Sequence, residues 1–181
     1  MSLGGRMLVA SSVLAVVVAG AFAALVFAVS TLREANEREA RSKDVTEATL
    51  QLEKLVVDVE TGLRGFTLTG NPRFLQPYTA AVAAWPERQA VFLERASIDS
   101  DQLRRGTQIT KLIARYVEDY AEPVIDLVAE SSDAARSAGV TIEGKQQTDA
   151  IRGRFTRFLA EENKLARRAA ATASSRSDRA L

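Results

Sequence analysis

The sequence predicts an all-α protein: an N-terminal transmembrane helix followed by an antiparallel up-down-up-down four-helix bundle. Three observations lead there. Residues 7–32 hold no charged side chain. Beyond them, apolar residues recur at steps of 3 and 4 in separate long stretches, the spacing of one helix face. Finally, only 4 prolines and 10 glycines interrupt a chain rich in Ala, Leu, Glu and Arg, residues that favour helix.

The uncharged stretch MLVASSVLAVVVAGAFAALVFAVSTL comes first. As a helix it rises about 39 Å, more than the ~30 Å of hydrocarbon it has to cross. A cleaved signal peptide is the rival reading, because Arg6 resembles a basic leader, but the apolar region of a signal runs only about 7–15 residues. Length therefore favours an uncleaved membrane helix. Arg33, Arg38 and Arg41 follow the span closely, so basic residues alone do not set its orientation. A short N-terminal tail before a long translocated domain favours a cytoplasmic N-terminus. The expected division is a cytoplasmic residue 1–6 segment, a membrane helix over 7–32, a bundle domain over 33–171 and a tail over 172–181. The dense charge of residues 33–44 reads as a solvated helix face beside the membrane.

After the membrane, Val45, Ala48, Leu52, Leu55, Val59, Gly62 and Phe66 form a seam on one long helix. Residues 69–72, TGNP, end it; Asn71 suits an N-cap and Pro72 the first position of the next helix. The second helix, near 72–96, carries Phe74, Leu75, Tyr78, Val82, Trp85, Val91, Phe92 and Leu93, with kinks or short turns expected at Pro77 and Pro86. Residues 97–100, SIDS, read as a link with a cap. The third helix, near 101–131, bears Ile109, Leu112, Tyr116, Tyr120, Val124 and Leu127, and Pro123 should bend it. A polar turn is expected over 132–143. The fourth helix, from near Lys145, has Thr148, Ile151, Phe155, Phe158, Glu162, Leu165 and Ala169 on its seam. Glu162 stands where the pattern wants an apolar group, so it needs a partner or solvent. Four long segments with short connections make the bundle.

Composition removes several chemistries. The chain has no cysteine and no histidine, hence no disulfide, thiolate nucleophile, imidazole base or soft metal ligand. Lys+Arg number 24 against Asp+Glu 23, too even a balance for a nucleic-acid binder. Lone carboxylates such as Asp58 and Glu162 lack convergent partners at any recognisable spacing. No catalytic set, metal site or cofactor is expected.

Residues 57–78, VDVETGLRGFTLTGNPRFLQPY, closely resemble the signature of the third class of CHASE domains (cyclase/histidine kinase-associated sensory extracellular). That signature is an acid, an E-T-G-x-R-G-aromatic run, L-T-G, a turn, then F-L-x-P-Y. The matching positions are Asp58, Glu60, Thr61, Gly62, Arg64, Gly65, Phe66, Leu68, Thr69, Gly70, Phe74, Leu75, Pro77 and Tyr78. Residues 143–168, EGKQQTDAIRGRFTRFLAEENKLARR, more weakly resemble the family's last helix, with its G-K…D-x-I-R run. The resemblance implies a four-helix bundle held between two membrane helices, serving as the input module of a receptor. Its output would be a histidine kinase, a diguanylate cyclase or similar. It further implies a homodimer in the cell membrane with the sensory domain outside the cytoplasm. The chain ends at Leu181 with neither a second apolar span nor an output domain; the expectation is a fragment cut before that span, the alternative a short protein that lost its output half.

The resemblance makes Asp58, Glu60, Thr61, Gly62, Arg64, Gly65 and Tyr78 the candidate ligand-binding or signalling residues. Glu60 and Arg64 lie i, i+4 with the acid first, the favourable order. As a surface pair they contribute about 0.3–0.5 kcal/mol. The resemblance favours a polar network at the bundle tip that fixes the first helix against its neighbours. A third account has Arg64 binding an anion, which its fork suits. Gly62, on the seam, points to close helix approach, whereas Gly65 and Gly70 read as loosening or ending the helix. Trp85, Phe92, Tyr116 and Tyr120 read as core before pocket. The leading function is an extracytoplasmic sensory domain of a receptor, with a histidine kinase of a two-component system as the expected output; the alternative is a membrane-anchored helical scaffold. The stimulus, small molecule or protein, is not encoded in any motif.

Overall fold

The structure is a computed structural model that describes residues 3–130 and 138–180. Among the described residues there is no strand, and only 70–71 and 97–99 fall outside helices. The helices are α1 (Leu3–Thr69), a 3-10 turn (Pro72–Leu75), α2 (Gln76–Ala96), α3 (Ser100–Arg115), a π-helical turn (Tyr116–Ala121), α4 (Glu122–Glu130) and α5 (Ala138–Ala180). Two compact units emerge: Met1–Ala40 with Arg168–Leu181, and Arg41–Arg167.

In the first unit, residues 11–30 of α1 are exposed throughout. The helix is long and apolar enough there to cross a membrane. A core helix of that composition would be buried, whereas side chains meant for lipid have no protein to cover them.

In the second unit, α1 buries Val45, Ala48, Leu52, Val59, Gly62 and Phe66 as its seam requires, with Leu55 partly buried against the core. The buried stripe is wider than the seam, taking in Thr49, Val56, Leu63 and Thr67 as well. A helix enclosed by several neighbours needs this broader apolar arc. Thr49 and Thr67 cost nothing unpaired, because their hydroxyls donate to Val45 O at 2.6 Å and Leu63 O at 2.8 Å.

The corner after α1 is built from local chemistry. Gly70 takes φ +67°, a left-handed conformation that costs glycine little, and its N–H donates to Phe66 O at 2.7 Å. Asn71 Oδ1 then accepts from Arg73 N at 3.1 Å with Pro72 in the first helical position. At the next link Asp99 Oδ1 accepts from Asp101 N and Gln102 N, both at 2.9 Å, and starts α3.

The prolines act less drastically than expected. Pro77 sits in the first turn of α2, where its missing N–H has no intrahelical partner to lose, and α2 continues through Pro86 without a non-helical turn. Ahead of Pro123 the helix changes register instead: over Tyr116–Ala121 it widens to a π turn, and Glu122 N–H donates to Val117 O. Proline removes one ladder bond and crowds the carbonyl four residues back, and a wider turn is one of the known ways to absorb that.

The core gathers Phe92 from α2, Ile109 and Ile113 from α3, Tyr116 and Tyr120 from the π turn, and Ile151, Phe155 and Phe158 from α5. Phe92 meets Phe158 and Phe155 at ring distances of 5.1 Å and 6.5 Å. Trp85 is only partly buried, at the core's margin. Glu162 finds its partner in the buried Gln102, whose Nε2 donates to Glu162 Oε2 and to Phe158 O, each at 3.2 Å. Arg88 Nη1 donates to Gln51 Oε1 at 2.7 Å, tying α2 to α1.

The polar turn expected over 132–143 is in part corrected. Residues 131–137 lie outside the described residues, but from Ala138 onward the chain is already helical, so the last helix begins well before Lys145. The tail beyond 172 is helical as far as Ala180.

Candidate functional site

The candidate residues cluster at the final turns of α1. Glu60 is the most enclosed of the charged ones, its side chain 16% exposed. Arg152 Nη2 of α5 donates to Glu60 Oε2 at 2.7 Å, whereas Arg64 Nη2 stays 3.8 Å from Oε1. Arg152 therefore holds Glu60, and the i, i+4 neighbour is a looser second partner. A charge-assisted bond of this length between two helices is worth more than an exposed pair on one helix.

Gly62 and Gly65 explain how the chain after the corner lies down on α1. A Cβ at Gly62 would stand 2.8 Å from the backbone nitrogen of Tyr78, and one at Gly65 would stand 2.7 Å from Cδ1 of Phe74. Close approach was expected at Gly62. At Gly65 it replaces the loosening role, since α1 runs on through it to Thr69.

Two neighbouring recesses open on this surface. The larger, about 520 Å³, is lined by Glu60, Thr61, Arg64, Gly65, Leu68 and Phe74 on one side and Lys145, Asp149 and Arg152 on the other. The smaller, about 100 Å³, shares Glu60, Arg64, Leu68 and Lys145 and reaches Tyr116 and Tyr120, whose rings stack 5.5 Å apart. Burial above all, then Tyr120 and Glu60, pushes the Tyr116 hydroxyl well above a tyrosine's usual range, against the opposing pull of Arg152 and Arg64. Lys145 pairs with Asp149, and that hydrogen bond holds the Asp149 carboxyl below its ordinary value.

Of the seven candidates, Glu60, Thr61, Arg64 and Gly65 line the cleft. Gly62 is buried beside it. Asp58 instead pairs along its own helix with Lys54 at 2.6 Å. Tyr78 is turned elsewhere: burial, then Glu122 and Asp126, raise its hydroxyl pKa. Sequence reasoning overlooked Lys145, Asp149 and Arg152 as site residues. The signal was present in the G-K…D-x-I-R run, which spaces them one and two turns apart on α5.

Among the described residues no group of acids could hold a metal ion. The arrangement offers cations, carboxylates and apolar surface. A family model, the CHASE3 domain, matches residues 35–172. No curated protein and no solved structure matches the chain.

Proposed function

The chain belongs to the CHASE3 domain family, sensory extracellular domains typically found in receptors, and from that membership we propose that it is the signal-input part of a membrane-bound receptor. Residues 7–32 cross the membrane with the N-terminus in the cytoplasm, and residues 33–171 sense outside it. The output, a histidine kinase in the reading we favour, follows beyond residue 181. The domain works as a homodimer.

The observation that carries this reading is α1 itself. One uninterrupted helix bears both the exposed, membrane-length apolar stretch and the buried stripe of the bundle. The up-down-up-down course is supported by paired contacts that run in opposite chain order. Gly62 lies against Tyr78 while Gln51 meets Arg88, and Gln102 meets Phe158 while Gly144 lies against Tyr120. A stimulus that favours one packing of these helices over another would pass down α1 as a small displacement or rotation.

Two measurements test it. The chain has no cysteine, so Leu50→Cys, at an exposed position, gives a single thiol. Labelling of intact cells by a membrane-impermeant maleimide is expected; protection until lysis would place the domain inside and end the reading. The reading frame past Leu181 should encode a second span and an output domain, and an immediate stop would instead leave a tethered scaffold.

A further inference from the structure

Resting on the sensory reading, we infer that the cleft between the end of α1 and α5 binds a small organic monocarboxylate with an apolar body. The cleft holds three cations, Arg64, Lys145 and Arg152, and only two carboxylates, Glu60 and Asp149. Pairing is uneven. Arg152 is taken by Glu60 at 2.7 Å and Lys145 by Asp149. Among the described residues Arg64 reaches only Glu60, at 3.8 Å, outside hydrogen-bonding range, and its side chain is 61% exposed. Its planar fork thus enters the cleft with donors unspent, and a carboxylate is the anion that takes two of them side by side.

The rest of the wall selects the body of the ligand. Leu68 and Phe74 line the same cleft and are 63% and 46% exposed. Covering them removes apolar surface from water, which neither phosphate nor sulfate can do. The volume of about 520 Å³ falls within the ~300–1,000 Å³ typical of small-molecule sites. One surplus cation matches one negative charge; a second charge would meet Glu60 or Asp149.

The test uses the full chain in nanodiscs, titrated calorimetrically with benzoate and hexanoate, with benzamide and inorganic phosphate as controls. Saturable binding of the two carboxylates and none of the controls is expected. Arg64→Gln should weaken binding about 10- to 100-fold, the range for losing a hydrogen bond to a charged group, and Leu68→Ala by a few-fold. Lys164→Gln, in the pair with Glu161 away from the cleft lining, should bind as the parent does. Arg64 is exposed, so unchanged circular dichroism should accompany its loss of binding. Silence of both carboxylates, equal binding of benzamide, or undiminished binding in Arg64→Gln would overturn the assignment. Maleimide labelling from outside would still stand in that event, so the receptor reading and the ligand class fail separately.

Discussion

Glu60 and Arg152 are 92 positions apart in the chain, yet Oε2 of one and Nη2 of the other lie 2.7 Å apart. The bond joins the first and last helices of the domain at the rim of the cleft. Arg152→Ala should cost about 1–2 kcal/mol, near the lower end for a charge-assisted bond because the Arg152 side chain is 41% exposed. A double-mutant cycle with Glu60→Gln, read by urea unfolding, should show coupling of at least about 0.5 kcal/mol. The single tryptophan, Trp85 at the core's margin, reports the transition. Additive losses would mean that the two side chains do not interact in solution.

Two glycines in helices should respond with opposite signs to the same change. Gly62→Ala sets a methyl group 2.8 Å from the backbone of Tyr78, an overpacking worth about 1–3 kcal/mol that outweighs the ~1 kcal/mol gained in helix propensity. Gly153→Ala meets nothing closer than the Arg157 guanidinium at 4.0 Å and should stabilise by up to about 1 kcal/mol. Parallel melting curves decide this, and a stabilised Gly62→Ala would refute the tight contact.

Alkali should loosen the domain through its tyrosines. In the unfolded chain tyrosine ionises near pH 10, but burial first of all keeps Tyr116 neutral to higher pH, and Tyr78 and Tyr120 shift the same way. Above pH ~10 the unfolded state therefore loses protons that the folded state keeps, so stability is full below that point and falls as pH rises. The melting temperature should hold steady up to about pH 9 and then decline. Tyr116→Phe should decline less steeply, and an identical slope would show that Tyr116 contributes nothing to it.

Asp99 starts α3 by accepting two backbone N–H bonds at 2.9 Å. Asp99→Ala should cost about 1 kcal/mol and Asp99→Asn or Asp99→Ser much less, because those residues also cap. Equal losses in all three variants would assign the effect to charge and not to the cap.

What could be read from the sequence was what neighbouring residues decide. The TGNP corner and the Asp99 cap depend on contacts two to four residues away, and both lie where the chemistry of Gly, Asn, Pro and Asp puts them. The seam of α1 followed from periodicity, but its width did not: Val56 and Leu63 are buried because more than one helix covers that side. Glu60 was legible as a polar anchor, whereas Arg152 as its holder was not, since the pairing depends on how distant helices meet. Gly65 looked like a weak point because its occupant, the Phe74 ring, comes from beyond the corner. Pro123 announced trouble in the third helix without saying that the adjustment would take the form of a wider turn.

That wider turn has a mechanical corollary. The π segment Tyr116–Ala121 spends one residue more than an α-helical ladder would over the same stretch. Excising one, for instance Val117, would return the stretch to an α-helical ladder and leave Val124 and Val128 facing inward, whereas excising a residue from a purely α-helical stretch would swing everything downstream about the helix axis by roughly 100°. Which side of this rod is hidden is thus a matter of counting as much as of side-chain identity, and a surplus residue that migrates along the rod would reorient the face it leaves behind.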